Sequence, residues 1–184
     1  CSFVCYKLRA CTHTRIPRAK VQFMALLNVE NLAVFYGSIQ ALRGVSLRVE
    51  AGEVVTLIGA NGAGKSTTLR TIVGILRERK GQILFDGRDM MGVPLHKTAQ
   101  AGIGFVPEER GIFATPSVEE NLTLPPVVAK GGMSVEEIYT LFPNLEARRH
   151  SPGTKLSGGE QEMLAIARIP RTGARVPVLG GPPP

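Results

Sequence analysis

Carboxylates are missing from both ends of this 184-residue chain. Residues 1–23 carry Lys7, Arg9, Arg15, Arg18 and Lys20 with no acid, and residues 168–184 carry Arg168, Arg171 and Arg175 with none. Aspartate is scarce throughout: Asp86 and Asp89 are the only two, no carboxylate follows Glu162, and the last histidine is His150. The formal net charge of +7 invites a nucleic-acid reading. Between the two basic ends, however, residues 24–167 hold 14 basic and 15 acidic residues. The body is close to neutral, and no nucleic-acid partner is expected.

The three cysteines, Cys1, Cys5 and Cys11, all lie in the first arm, with neither C-x-x-C nor metal-ligand spacing. That excludes a disulfide framework and points to a reducing compartment. No apolar run approaches the roughly 20 residues of a membrane span. Hydrophobic residues make up 43% and charged residues 20%, the balance of a globular domain with a sizeable core. The arm is Arg-rich and acid-free like a transit peptide, but it has no amphipathic period and no secretory apolar region. Residues 1–23 are therefore expected to be a disordered or non-native arm, with organised sequence starting after Met24.

What is present centres on Gly59-Ala60-Asn61-Gly62-Ala63-Gly64-Lys65-Ser66-Thr67. Before it, Val54-Val55-Thr56-Leu57-Ile58 is short, apolar and β-branched, the pattern of a strand buried on both faces of a parallel sheet. After it, Leu69, Ile72, Val73 and Leu76 recur at helical spacing, predicting a helix over 65–76. G-x-x-x-x-G-K-S between a strand and a helix is the setting of a phosphate-binding loop. Its glycines let backbone N–H groups converge, and the helix start adds partial positive charge. Lys65 would reach the β- and γ-phosphates and Ser66 would ligate Mg²⁺.

Strands are predicted at 26–35, 41–50, 54–58, 81–86 and 103–106, with a turn at Asp86-Gly87 and a helix near 95–101. Ser117-Val118-Glu119-Glu120 and Ser134-Val135-Glu136-Glu137 are capping boxes before apolar residues, so the region from about 111 to 170 is mainly helical. Leu156-Ser157-Gly158-Gly159-Glu160-Gln161 opens a further helix. Ser157 and Glu160 suffice for a third capping box, but a cap alone needs neither Gly158 nor Gly159, which weaken a first helical turn.

With this second motif, residues 24–168 resemble the ATP-binding subunits of ABC transporters. Glu108, in Phe105-Val106-Pro107-Glu108, stands where most members have glutamine. Together with Glu160-Gln161 and the run Met163-Leu164-Ala165-Ile166-Ala167-Arg168, it looks like the subunits that power branched-chain amino-acid importers. The resemblance implies an α/β fold: a phosphate-loop (RecA-like) nucleotide-binding core over 24–110 and a helical subdomain over 111–170, with the C-terminal part missing. It implies ATP and Mg²⁺ as cofactors, a second ATP-binding subunit in a head-to-tail dimer, and membrane permease subunits as partners at the cytoplasmic face. Ser157, Gly158 and Gly159, within the 156–161 signature, would grip the γ-phosphate held by the partner's loop. Tyr36 would stack on adenine, the alternative being a strand tyrosine that packs its ring. Glu108 would contact Mg²⁺, the alternative being a surface carboxylate beside Glu109. The permease would dock on an apolar contact in 110–121 centred on Ile112 and Phe113.

The family pattern then requires a strand ending in Asp-Glu, and Gly180 and Gly181 fall there instead. Residues 171–184 are expected to be an irregular tail, and Pro170 to interrupt the signature helix. Both follow if the chain is a fragment or altered reading of a longer gene. Such a chain would bind ATP and hydrolyse it poorly. A non-enzymatic ABC-like ATP-binding regulatory module is the rival reading. Another phosphate-loop NTPase is a second, but a GTPase would need N-K-x-D and no Asn-Lys pair occurs.

Overall fold

The computed structural model describes residues 25–77, 79–109 and 111–180, together with the backbone of 4–9. Arg110 and Gly181 lie outside the described residues. The chain forms two compact units, 1–93 and 94–184. Helix 95–101, strand 103–106 and Glu108 thus group with the helical segment, whereas the sequence placed them with the phosphate loop.

In the first unit, β2 (Leu27–Tyr36) pairs antiparallel with both β3 (Ile39–Val49) and β5 (Arg79–Phe85), and β6 (Arg88–Asp89) extends the sheet to the order β3-β2-β5-β6. Leu27, Val29, Leu32 and Val34 face inward although strict alternation would turn Leu32 out. A bulge at Glu30 and Asn31 resets the phase: Asn31 has φ of 49°, and the register slips between Val29 and Leu32. Gly81 faces this bulge, where a Cβ would lie 2.6 Å from the carbonyl oxygens of Glu30 and Asn31, so no side chain fits. Ile83, Phe85, Leu42 and Met90 complete the core. The Asp86-Gly87 turn has positive φ at both residues, as a tight hairpin demands.

β4 (Glu53–Ile58) departs from expectation. It pairs antiparallel with β1 (Val4–Arg9), Val4 opposite Ile58 and Arg9 opposite Glu53, and with no parallel neighbour among the described residues. It is therefore not a strand buried on both faces: exposure alternates along it, with Val54 58% and Ile58 51% exposed. Part of the arm expected to be disordered is thus a strand. Helix α1 (Lys65–Ile72) is shorter than the pattern predicts, because Val73 leads into Gly74 at φ 85°. Its buried face is Thr68, Thr71 and Ile72. Both threonine hydroxyls escape the cost of burial by donating to carbonyls one turn back, Thr68 to Gly64 at 2.8 Å and Thr71 to Thr67 at 2.6 Å.

In the second unit, α2 (Leu95–Ala101) precedes β7 (Ile103–Val106), which lies parallel to β8 (Val176–Leu179) with Ile103 opposite Val176 and Val106 opposite Leu179. Part of the tail expected to be irregular is thus a strand: Val176 and Val178 bury while Pro177 and Leu179 face out. Helices α3 (Val118–Thr123), α4 (Val135–Leu141), α5 (Pro143–Glu146) and α6 (Gly158–Thr172) pack around Leu122, Ile138, Leu145 and Leu164. All three expected capping boxes form, at Ser117, Ser134 and Ser157.

Pro170 does not interrupt α6, which runs on to a left-handed cap at Gly173. The last turn holds because other groups take up its carbonyls: Met133 N–H donates to Pro170 O at 3.0 Å, and Val128 and Ala129 N–H donate to Thr172 O. The one loss is the bond a residue with an N–H at 170 would give to Ile166. Pro170→Ala should therefore stabilise the helical unit by about 1 kcal/mol, less than the roughly 3 kcal/mol of a mid-helix proline. A urea midpoint that stays put or falls would contradict this.

Candidate phosphate-binding site

Three of the described α-helix starts carry a side-chain cap, and three, those of α1, α2 and α5, carry none. At α3, α4 and α6 a serine side chain accepts from the third helical N–H and a glutamate returns to the serine N–H, so the first-turn donors are partly satisfied from within. At α1 the N-cap is Gly64, which has no side chain to cap anything. Its φ of 95° turns the chain sharply into the helix, and a Cβ there would lie 2.4 Å from Leu42 Cδ2. No side chain caps the start of α1, where the helix carries its half positive charge.

Lys65 sits on the same curl. Its Nζ donates to Gly59 O at 2.6 Å and Ala60 O at 2.9 Å, closing the loop on itself. Neutral carbonyls are weak partners for an ammonium beside a helix start, and a polyphosphate would replace them with charge-assisted bonds. Ala63 is buried and fixes the loop to the body, while Asn61 and Gly62 are exposed. Ser66 and Thr67 follow in the first turn. The residues fit a Mg²⁺-nucleotide: the loop offers N–H donors, a lysine and one hydroxyl. Mg²⁺ commonly takes one or two protein ligands plus substrate phosphates. Among the described residues no three His, Cys, Asp or Glu cluster.

Tyr36 lies at the end of β2, 48% exposed. It lines an open depression of about 480 Å³ with Phe35, Gly37, Ile75, Leu76 and Arg77, none of them from the phosphate loop.

In the second unit, Ser157, Gly158 and Gly159 are exposed at the start of α6. Ser157 Oγ accepts from Glu160 N–H at 3.3 Å, and Ser157 N–H donates to Glu160 Oε2 at 2.7 Å. The Ser157 hydroxyl is engaged within the cap through both its oxygen and its proton, and an anion at Ser157 would have to take that proton from Glu160. Bonds from the Ser157 backbone N–H, then from its hydroxyl, hold the Glu160 carboxyl below the usual range. The cap is thus complete at neutral pH and is lost as pH falls through that lowered value. Arg148 pairs with Glu160 at 3.5 Å, a contact that no local pattern in the sequence announces. Leu156 is buried in the helical core, and Gln161 turns its amide back to Gly153 O at 3.2 Å and Leu156 O at 3.3 Å. These two side chains shape the motif from behind.

Glu108 follows β7, and Gly180 follows β8 directly alongside it. Gly180 N–H donates to Val106 O at 2.8 Å, and a Cβ at Gly180 would stand 2.8 Å from Glu108 N. Glu108, with Glu109 next to it in the chain, therefore stands at the end of this strand pair. Gly180→Asp is expected to displace the Pro107–Glu108 turn and lower stability by about 1–3 kcal/mol. An unchanged thermal midpoint would show that the turn yields freely.

Strands carrying a glycine-rich loop into an uncapped helix, with a helical segment whose longest helix opens on Ser-Gly-Gly, define a phosphate-loop nucleotide-binding protein of the ATP-binding-cassette type. Residues 42–181 match the ABC transporter family, and the chain belongs to it. It is 41% identical over 152 residues to the high-affinity branched-chain amino acid transport ATP-binding protein BraG of Pseudomonas aeruginosa, covering 78% of this chain and 63% of that one. It is 40% identical over 151 residues to the lipopolysaccharide export system ATP-binding protein LptB of Haemophilus influenzae, covering 79% and 62%. The chain thus spans less than two thirds of the length of these relatives. An ATP-binding cassette solved as a dimer with ADP and Pi shares the fold at TM-score 0.68 and 24% identity, over 83% of this chain and 72% of that one.

Lys65→Ala should weaken Mg·ATP binding by roughly tenfold to a hundredfold, the worth of one or two charge-assisted bonds. Equal affinities by calorimetry would remove Lys65 from the site.

Proposed function

We propose that this chain is the ATP-binding part of an ABC transporter subunit that powers uptake of branched-chain amino acids. The observation that carries the reading is the uncapped start of α1 with Lys65 above it, in a chain that also offers Ser157 at a second exposed helix start. On binding, Lys65 leaves the Gly59 and Ala60 carbonyls for the β- and γ-phosphates, and the loop N–H groups take the phosphate oxygens. Ser66 would hold Mg²⁺, with Glu108 as the candidate for a second anchor, and the ion would supply charge neutralisation. Tyr36 receives the adenine, where stacking is worth on the order of 1 kcal/mol. Ser157 and the amides of Gly158 and Gly159 receive the γ-phosphate held by a partner subunit, so a head-to-tail dimer encloses two nucleotides. Membrane subunits dock on Ile112 and Phe113, which holds the chain at the cytoplasmic face. The substrate assignment rests on the Glu108 and Glu160-Gln161 pattern and on the likeness to BraG. Lipopolysaccharide export is the second reading, favoured by the nearly equal identity to LptB.

Phosphoryl transfer needs a group to orient the attacking water and a second hold on the metal. The chain places glycine at 180 and no carboxylate beyond Glu162. One Glu108 cannot perform both roles. The 184-residue chain is expected to bind ATP and to show no ATPase activity above a Lys65→Ala control. Turnover by the unmodified chain that disappears on Lys65→Ala would mean that another carboxylate orients the water.

A further inference from the structure

Between Glu108 and α3 the chain runs as a loop that presents Phe113, 46% exposed. Long exposed loops are ordinarily mobile, and this one is tied from two sides. Asn121, fully buried in α3, accepts Phe113 N–H on Oδ1 at 2.8 Å and donates through Nδ2 to the carbonyls of Phe113, Pro116 and Ser117, each at 3.0 Å. One amide side chain thereby fixes the loop over five residues. From the other side comes Arg168 of α6. Its Nη1 donates to Gly111 O, and its guanidinium lies over the Phe113 ring, 4.9 Å from the centroid. Burial lowers the Arg168 pKa, and Nε is buried without a partner, so the side chain bears a desolvation cost where a solvent-facing rotamer would bear none.

Arg168 stands eleven residues beyond Ser157 on the same helix, roughly 16 Å along the axis at 1.5 Å per residue. Pro170 lies past it, leaving the stretch between them unbroken by proline. We infer that Arg168 is a positioning residue that locks the Phe113 loop to α6, so that the loop moves with the helix that Ser157 opens. This deepens the proposed docking surface and signature helix and rests on that reading. A loop free to move would decouple a partner seated on Phe113 from events at Ser157. The clamp makes one rigid piece of both, with Asn121 holding the backbone and Arg168 holding the ring.

The chain contains no tryptophan, so Phe113→Trp gives a single reporter that keeps the cation–π stack. In the full chain, the introduced indole should show high anisotropy and weak acrylamide quenching. Adding Arg168→Met should lower the anisotropy and raise the quenching constant about twofold. Arg168→Lys, which keeps charge but loses the planar stack and the forked donors, should fall between them. An indole equally immobile in the presence of Arg168→Met would overturn the clamp. Should Arg168→Met fail to fold, Arg168→Lys on the Phe113→Trp background decides: a lowered anisotropy supports the lock, and an indole as immobile as with Arg168 overturns it. Capture of co-expressed branched-chain importer membrane subunits then separates clamp from docking. Phe113→Asp should abolish capture and Arg168→Met should reduce it several-fold. Capture that survives Phe113→Asp defeats the docking reading, while the indole signal of Phe113→Trp still reports the clamp. Capture lost with Phe113→Asp but untouched by Arg168→Met defeats the role of Arg168.

Discussion

A helix start left without a cap is the constraint around which the chain is built. Gly64, at the N-cap of α1, offers no side chain to cap the first turn. Lys65 adds a cation that only the loop's own carbonyls answer. A site with this much unanswered positive potential requires a body that does not relax it away. The bulged β2, the close approach of Leu42 to Gly64 and the two back-bonded threonines of α1 supply that rigidity.

The helical unit treats the same problem differently. Its three serine-glutamate caps satisfy helix starts internally, which suits helices whose task is to pack. At α6 the cap and two glycines occur together. The cap secures the helix, and a Cβ at Gly159 would meet open space.

Chemistry that depends on carboxylates is treated more sparingly. β7 and β8 lie parallel and end side by side, the arrangement that would bring two acids together, but one end carries Glu108 and the other Gly180. The glycine-rich curl that ends at Gly64 and the strand pair that ends at Glu108 and Gly180 are built in different units of the chain.

The glycine-rich loop, the three capping boxes and the strands and helices between 26 and 106 were legible in the sequence, because each depends on residues within a few positions of one another. Backbone curls need glycine at fixed places, and caps need a hydroxyl three residues before a carboxylate, whatever surrounds them. Tertiary structure decided the rest. The partner of β4 could not be read from Val54–Ile58, since a short apolar run fits a buried parallel strand and a half-exposed antiparallel one equally well; pairing with β1 settled it. Pro170 looked like a helix breaker, and the 128–133 segment, distant in sequence, kept the last turn in place. The tail became β8 because β7 offered it a parallel edge. Asn121 and Arg168 carry no local signal at all. Their importance comes from partners 8 and 57 residues away, contacts that exist only once the chain has folded.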